Sequence, residues 1–418
     1  MVRNGNGSFA GFALALLLPS LLAAEVVPAT RQLELMPPPP ASPFDAPSYA
    51  TATAVDLGAT GFAVGWDLEV NPIDSESVKG VTEGRQVLRG GRPAGTFEAS
   101  TDVFIPGRAQ DISLAPIGKT GRFVAVWSQL DDFFSGGVWF RRFENGYQPL
   151  DHNSFQITEV IDGRSNCNPR IAANESGRFV IVWKRGPSYQ GGDQGKETTS
   201  RILARVFGPG GQPLTPEIAV TEPVPASTAC TEDADHPEVG MDAAGNFVVL
   251  WAGEAAGPGI WGQRFDLLGQ PLGDRFRVGG RGGAVNLAML PSGEFVAAWQ
   301  APMETGVTLL SRFTAEGQRV GELARVICGD ARAMSIDRSG RVALFWFDRN
   351  RAALQVFDAS LVRLSRVLLD PPVTTAVPRY YTHGGVAFAD DGRILTVWVG
   401  PRGSKVPDSI LGRIWRIQ

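Results

Sequence analysis

An all-β fold is predicted by three features of this 418-residue sequence. First, the phrase "GNFVVLW", which ends at Trp251, occurs with small changes seven times. Second, an alternating segment such as "IWGQRF" follows each copy. Third, a turn rich in Gly, often with Pro, follows most of these segments. Repeats of about 50 residues with four short antiparallel strands predict a seven-bladed β-propeller.

The fourth copy shows each element of the repeat. "EVGMD" alternates like a strand, and "AAGN" is a turn in which Gly245 suits a positive φ. "FVVLW" is a continuous β-branched and aromatic run, as expected of a strand buried on both faces. "IWGQRF" is the third strand, "LLGQPLG" a turn and "RFRV" the fourth strand. The seven second strands end at Trp66, Trp127, Trp183, Trp251, Trp299, Trp346 and Trp398.

A single four-stranded sheet has two faces to bury, so we expect the blades to pack on one another in a closed ring. A β-solenoid or a sandwich array is the alternative, and meandering units with Gly turns fit it poorly. In the ring, each repeated Trp would fill the wedge between two sheets. The alternative role is a stacking platform for sugars, which seven copies at the end of a buried strand disfavour.

The N-terminal segment is predicted to close the ring. The last copy stops after its third strand, at Gln418, and "RQLEL" near the N-terminus alternates like the missing fourth strand. We therefore expect residues 25–36 to complete the last blade, 37–47 to form a Pro-rich linker and 48–418 to form the propeller. At ~3.1 Å per residue, the linker reaches roughly 34 Å, enough to cross one blade.

Residues 1–24 are predicted to be a signal peptide. Arg3 precedes an apolar stretch from Phe9 to Leu22, and small residues end it at Ala24. An uncleaved membrane anchor is the alternative, but the stretch is short and contains Pro19. We expect a secreted or periplasmic monomer with no membrane span after cleavage. The net charge of -4 and the absence of a basic stripe argue against nucleic acid as a partner.

The three cysteines predict one disulfide. Cys167 and Cys230 precede the first strands of the third and fourth blades, where neighbouring loops come close, whereas Cys328 lies two blades farther on. We expect a Cys167–Cys230 bond in an oxidising compartment. The alternative is three separate thiols.

The repeat resembles those of secreted bacterial seven-bladed propellers, whose units read roughly G-x-F-V-V-x-W, then R-F, then G-x-P-x-G. The resemblance covers about residues 49 to 418 and implies the fold, without identifying a ligand. The sequence lacks the "GH…WD" pairing of WD repeats and the Gly-Gly doublets of kelch repeats.

The candidate ligand site is the end of the ring where second-to-third connections and connections between blades vary in length, since function usually resides in variable loops on a rigid scaffold. Aromatic and polar residues on these loops suit glycan or protein contacts, although they could instead fold onto the propeller. The candidate ligand-binding residues are Phe133, Phe134, Tyr189, Tyr380, Tyr381 and His383.

One acidic loop contains oxygens that could hold Ca²⁺. "CTEDADHPE" brings together Glu232, Asp233 and Asp235, but without the regular spacing of a calcium loop. A solvated acidic loop is the alternative. We expect no other cofactor.

No motif for nucleophilic catalysis is present, and the first-strand segments "ARAMSID", "AVNLAML" and "GGVAFAD" are mostly apolar or small. A propeller glycosidase would need inward-facing carboxylates. The sequence therefore favours a secreted, non-catalytic binding scaffold for a glycan or an extracellular protein. The alternative is a propeller-type glycan-processing enzyme, either a hydrolase or a lyase.

Overall fold

The structure is a computed structural model. It describes residues 25–36, 48–70, 79–100, 108–130, 136–161, 163–188, 199–225, 237–253, 258–280, 282–283, 285–301, 304, 306–328, 331–348, 351–370, 384–401 and 408–418. These residues form β-strands and turns, with no helix among them. None of them therefore belongs to a helix of the length and apolar character needed to cross a bilayer.

The strands, in chain order, are β1 (Val26–Pro28), β2 (Leu33–Met36), β3 (Ser48–Asp56), β4 (Phe62–Val70), β5 (Lys79–Val87), β6 (Pro93–Glu98), β7 (Arg108–Ile117), β8 (Arg122–Leu130), β9 (Gly136–Glu144), β10 (Gln148–Pro149), β11 (Phe155–Gln156), β12 (Arg164–Ala173), β13 (Phe179–Pro187), β14 (Thr199–Phe207), β15 (Ile218–Ala219), β16 (Val224–Pro225), β17 (Glu238–Met241), β18 (Phe247–Gly253), β19 (Gly259–Phe265), β20 (Phe276–Gly279), β21 (Asn286–Met289), β22 (Phe295–Gln300), β23 (Val307–Phe313), β24 (Arg319–Ile327), β25 (Ala331–Ile336), β26 (Val342–Asp348), β27 (Arg351–Phe357), β28 (Leu368–Leu369), β29 (Gly384–Phe388), β30 (Arg393–Pro401) and β31 (Asp408–Ile417).

These strands form seven antiparallel blades, which confirms the predicted seven-bladed β-propeller. The blades are β3–β6, β7–β11, β12–β16, β17–β20, β21–β24, β25–β28, and β29–β31 completed by β1 and β2. The first strands contact one another in the circular order β3, β7, β12, β17, β21, β25, β29 and back to β3. They therefore surround a central channel.

The described residues form seven apolar clusters, and each cluster lies between two neighbouring blades. Every cluster contains one of the seven repeated Trp residues, whose side chains are at most 2% exposed. Burial of an aromatic side chain of this size stabilises a fold by about 2–3 kcal/mol. The structural role predicted for the Trp residues is confirmed, because their rings fill the wedges between sheets.

The other repeated residues also serve packing. In at least four blades, a Phe at or next to the start of the second strand stacks on a Phe at or next to the end of the third. In the fourth blade, for example, Phe247 stacks on Phe265 with ring centroids 4.9 Å apart. The Arg of the third strand reaches a neighbouring blade. Arg264 Nη1 donates to the Glu316 carbonyl oxygen at 3.1 Å, and Arg312 Nη2 to that of Gly340 at 2.7 Å. The residues that recur in the repeat therefore make contacts within and between blades.

The N-terminal segment supplies the outer strand of the last blade, as predicted, but in two pieces. Both β1 and β2 pair antiparallel with β31, where Val26 lies opposite Ile417 and Leu33 opposite Gly412. Between them, the N–H groups of Ala29 and Thr30 both donate to the carbonyl oxygen of Ile414. The strand divides here because two consecutive donors converge on one acceptor, which bends the chain away from regular pairing.

Candidate functional site

Two irregular first strands bring polar residues together at one end of the channel. This end, called the variable-loop face here, is where second strands end and third strands begin. Both β7 and β12 contain a β-bulge near their first residues, between Gln110 and Ser113 and between Cys167 and Arg170. Asp111 and Asn168 occupy the bulges with φ of 61° and 50°, a conformation that is costly for residues other than Gly.

The Asp111 carboxylate joins the second and third blades. Its Oδ2 accepts hydrogen bonds from Ser128 Oγ at 3.1 Å, from Gln110 Nε2 at 3.2 Å and from the backbone N–H of Asn168 at 3.4 Å. All three donors bind Oδ2, and the Asp111 side chain is only half-buried. The bulges therefore present a carboxylate that retains accepting capacity on Oδ1.

Asp67 lies behind Asp111, near the end of β4, and is 1% exposed. Its Oδ2 accepts hydrogen bonds from Thr51 Oγ1 and, at 3.2 Å, from the N–H of Ile112 in the bulge. Its buried Oδ1 has no hydrogen-bond partner among the described residues. Burial and the nearby Asp111 charge raise the pKa of Asp67 to about 8, although these hydrogen bonds oppose the shift. Asp67 therefore holds its proton more strongly than an exposed carboxyl group does.

A buried network fixes the third blade beside this cluster. The Oδ1 of Asn166 accepts from Trp183 Nε1 at 3.2 Å and from Arg185 Nε at 2.9 Å. Its Nδ2 donates to the carbonyl oxygen of Gly136 on the second blade at 2.9 Å. Arg185 also forms a two-pronged ion pair with Glu217, at 2.7 and 2.8 Å. The rim of the third blade is thus rigidly held where Asn168 meets Asp111.

An ion pair lies deeper in the channel. Arg170 Nε, on β12, lies 3.0 Å from Glu238 Oε1 on β17, and both side chains are partly exposed. Burial raises the pKa of Glu238, although the charge of Arg170 and its hydrogen bond oppose this shift. This pair gives the channel wall both signs of charge.

The opposite end of the channel is spanned by tight turns. Arg338, in the turn between β25 and β26, forms ion pairs with Asp390 and with Glu175, which lies in the turn between β12 and β13. The third and sixth blades are not neighbours in the ring, so the Glu175–Arg338 contact crosses the channel axis. A ligand approaching the channel therefore meets these turns at one end and the Asp111 cluster at the other.

The predicted site residues lie outside the described residues. This holds for Phe133, Phe134, Tyr189, Tyr380, Tyr381 and His383, and for the acidic-loop residues Glu232, Asp233 and Asp235. Their roles stay predictions. The described residues include no group of three or more His, Cys, Asp or Glu side chains that could hold a metal ion.

Asp67 and Asp111 were missed by sequence reasoning. The sequence placed the ends of the second strands at the repeated Trp residues, but β4, β8 and β13 extend beyond them to Val70, Leu130 and Pro187. One feature of the sequence could have identified Asp67. Among the residues that directly follow the seven repeated Trp residues, Asp67 is the only carboxylate. Asp111 gave a weaker signal, because the bulge that orients it depends on strand register.

The disulfide between Cys167 and Cys230 also stays a prediction. Cys167 is buried immediately before the bulge of β12, and Cys328 is buried far from it, at the end of β24. Cys230 lies outside the described residues. We expect peptide mapping of the protein, exported under oxidising conditions, to recover a Cys167–Cys230 peptide pair without reduction. The bond would close a loop of 63 residues. Closing a loop of this length stabilises the folded state by about 4 kcal/mol in the chain-entropy model.

Alkylation before reduction checks the same bond. The Cys328→Ser variant should keep the disulfide and show no reactive thiol after unfolding. Three alkylatable cysteines in the unfolded wild-type protein would contradict the pairing.

Comparisons with known proteins find similarity in solved structures alone. No family model and no curated protein matches the chain. A crystal structure of an unknown function protein from Dyadobacter fermentans DSM 18053 has 10% identity and a TM-score of 0.49, and the match covers 94% of this chain and 99% of that one. The Hadza microbial sialidase Hz136 has 8% identity and a TM-score of 0.47, with 93% and 94% covered. Similarity this distant carries no argument about function.

Proposed function

We propose that this protein is a non-catalytic scaffold that binds a glycan on its variable-loop face, around Asp111. The observation that carries the proposal is the meeting of two strained bulges, where Asp111 and Asn168 hold positive φ and hydrogen-bond to each other. Strain of this kind persists where the surrounding structure enforces it, and it is concentrated at functional sites.

The chemistry of the cluster suits a polyhydroxylated ligand. A carboxylate with free accepting capacity can take hydrogen bonds from sugar hydroxyl groups, and such charge-assisted bonds contribute about 1.5–3 kcal/mol each. Phe133, Phe134 and Tyr189 belong to the connections that follow β8 and β13. Their rings would add the apolar contacts that sugars make through their C–H faces. An extracellular protein is the other partner that these aromatic residues could contact.

We propose that the protein is exported and acts in a secreted or periplasmic location. Arg3, the apolar stretch from Phe9 to Leu22 and the small residues up to Ala24 support export. Glycans of cell surfaces and of the extracellular matrix would then be accessible to it.

We expect Asp111→Asn to weaken glycan binding by about 10- to 100-fold, because a neutral amide accepts weaker hydrogen bonds than a carboxylate. A glycan array with the mature protein would identify the ligand, and calorimetry would measure the loss. Asp391→Asn is the matched control, since Asp391 lies in a tight turn at the other end of the propeller. Equal affinity of the wild-type protein and the Asp111→Asn variant would contradict this site.

A glycan-processing enzyme is the second candidate, favoured by the carboxyl pair itself. Asp67 has a raised pKa and lies beside Asp111, a combination typical of acid–base pairs. Against this, Asp67 is 1% exposed and could not reach a glycosidic oxygen without rearrangement. Mass spectrometry of each array ligand after incubation separates the two functions. Cleaved products lost in Asp67→Asn would favour the enzyme, and binding without products the scaffold.

A further inference from the structure

The carboxyl groups of Asp67 and Asp111 lie close together between the first and second blades. Asp67 Oδ2, on β4, accepts a hydrogen bond from the N–H of Ile112, the residue that follows Asp111 on β7. The Asp67 side chain therefore contacts the bulge that carries Asp111. Neither Asp67 nor Asp111 forms an ion pair with another described residue. The remaining partners are uncharged, namely the hydroxyl groups of Thr51 and Ser128, the amide of Gln110 and the backbone N–H of Asn168.

One oxygen of this pair lacks a partner within the part of the chain that the structure describes. Asp67 Oδ1 is buried and accepts no hydrogen bond from the described residues, and the whole side chain is 1% exposed. An unsatisfied buried carboxyl oxygen is unfavourable, and native structures almost always give such an atom a proton, a hydrogen bond or a cation.

The sequence segments that follow β4 and β8 are acidic. Residues 71–78 follow β4, which carries Asp67, and contain Asp74 and Glu76. Residues 131–135 follow β8, which carries Ser128, and contain Asp131 and Asp132. Neither segment contains Lys or Arg. Both segments therefore carry net negative charge, which favours cations over anions as their counter-charge.

We propose that Asp67 and Asp111 bind one Ca²⁺ ion at the junction of the first and second blades. The donors available are hard oxygens, namely Asp67 Oδ1 and the free oxygen of Asp111, and Ca²⁺ is the common cation that accepts carboxylate and water oxygens in irregular geometry. The ion would give the buried oxygen its partner and cross-link two blades. The proposed site uses none of the acidic-loop residues Glu232, Asp233 and Asp235. It does not require that the protein bind a glycan.

Calorimetric titration of CaCl₂ into the EDTA-treated full-length mature protein tests the proposal without any glycan. We expect one site and a rise in melting temperature, because an ion that binds only the folded protein stabilises it. Asp67→Asn and Asp111→Asn should each weaken binding by at least about tenfold, since ligand charge sets calcium affinity. The control variant carries Glu232→Gln, Asp233→Asn and Asp235→Asn together, and it should bind as the wild type does.

Two outcomes would overturn the proposal. Absence of both heat and a melting shift in the wild-type protein would mean that Asp67 Oδ1 is satisfied by a proton or by an uncharged donor. Calcium binding that survives Asp111→Asn but is lost in the acidic-loop variant would place the ion at that loop. If Asp67→Asn does not fold, Asp111→Asn decides the question, because Asp111 is half-buried and tolerates an amide of equal size.

Discussion

Replacing Trp251 with alanine is expected to lower the free energy of unfolding by about 3–5 kcal/mol, the usual cost of removing a buried Trp. Its side chain is 1% exposed and packs in the cluster between the third and fourth blades, with Met241, Val249 and Phe265. Because neighbouring sheets cannot collapse into the wedge without shifting, the cavity should remain largely open. Urea denaturation followed by circular dichroism would measure the change.

Conservative substitutions at two Trp positions separate packing from hydrogen bonding. Trp251 Nε1 is buried without a hydrogen-bond partner among the described residues, so Trp251→Phe should cost about 1–2 kcal/mol through lost volume alone. Trp183 Nε1 donates to Asn166, so Trp183→Phe should cost about 1 kcal/mol more. Equal stability of Trp251→Ala and wild type would contradict the wedge-filling role. The folded fraction of Trp251→Ala should still bind any glycan ligand normally.

The fold could be predicted because the contacts that define it recur in nearly every blade. A buried Trp in the second strand has the same environment in each repeat, and Arg264 and Arg312 in third strands make the same kind of contact with the next blade. Gly245, whose φ of 96° lies in the left-handed region, ends the same hairpin turn as Gly177 and Gly293. Because each blade requires the same residue types at the same positions, these residues recur in the sequence. The repeat can therefore be recognised from a single chain.

The candidate site could not be predicted because it consists of departures from the repeat. Asp67 occupies a position that holds Ser128 and Lys184 in the next two copies, so no periodic signal identifies it. The orientation of Asp111 depends on a register shift between β7 and β8, which is settled by tertiary packing. The division of the closing strand into β1 and β2 is likewise a property of its pairing with β31.

Deletion of residues 25–36 is expected to destabilise the whole ring, by on the order of 5 kcal/mol. The deletion removes Leu35, which is fully buried in the cluster containing Trp66, and Val26, which is 5% exposed. It also removes the pairing with β31 and the Leu35 carbonyl oxygen that accepts from Arg85 Nη1 at 2.8 Å. Calorimetry should show the melting temperature falling by roughly 5–10 °C.

Restoring the strand in trans tests the cause of that loss. A synthetic peptide of residues 25–36 should raise the melting temperature of the deletion protein as its concentration increases, because it binds only the closed fold. A scrambled peptide should have no effect. Within the full chain, Leu35→Asp should reproduce much of the loss, whereas Gln32→Asp should not, since Gln32 is exposed on the same segment. An unchanged melting curve for the deletion protein would mean that β1 and β2 add nothing to ring closure.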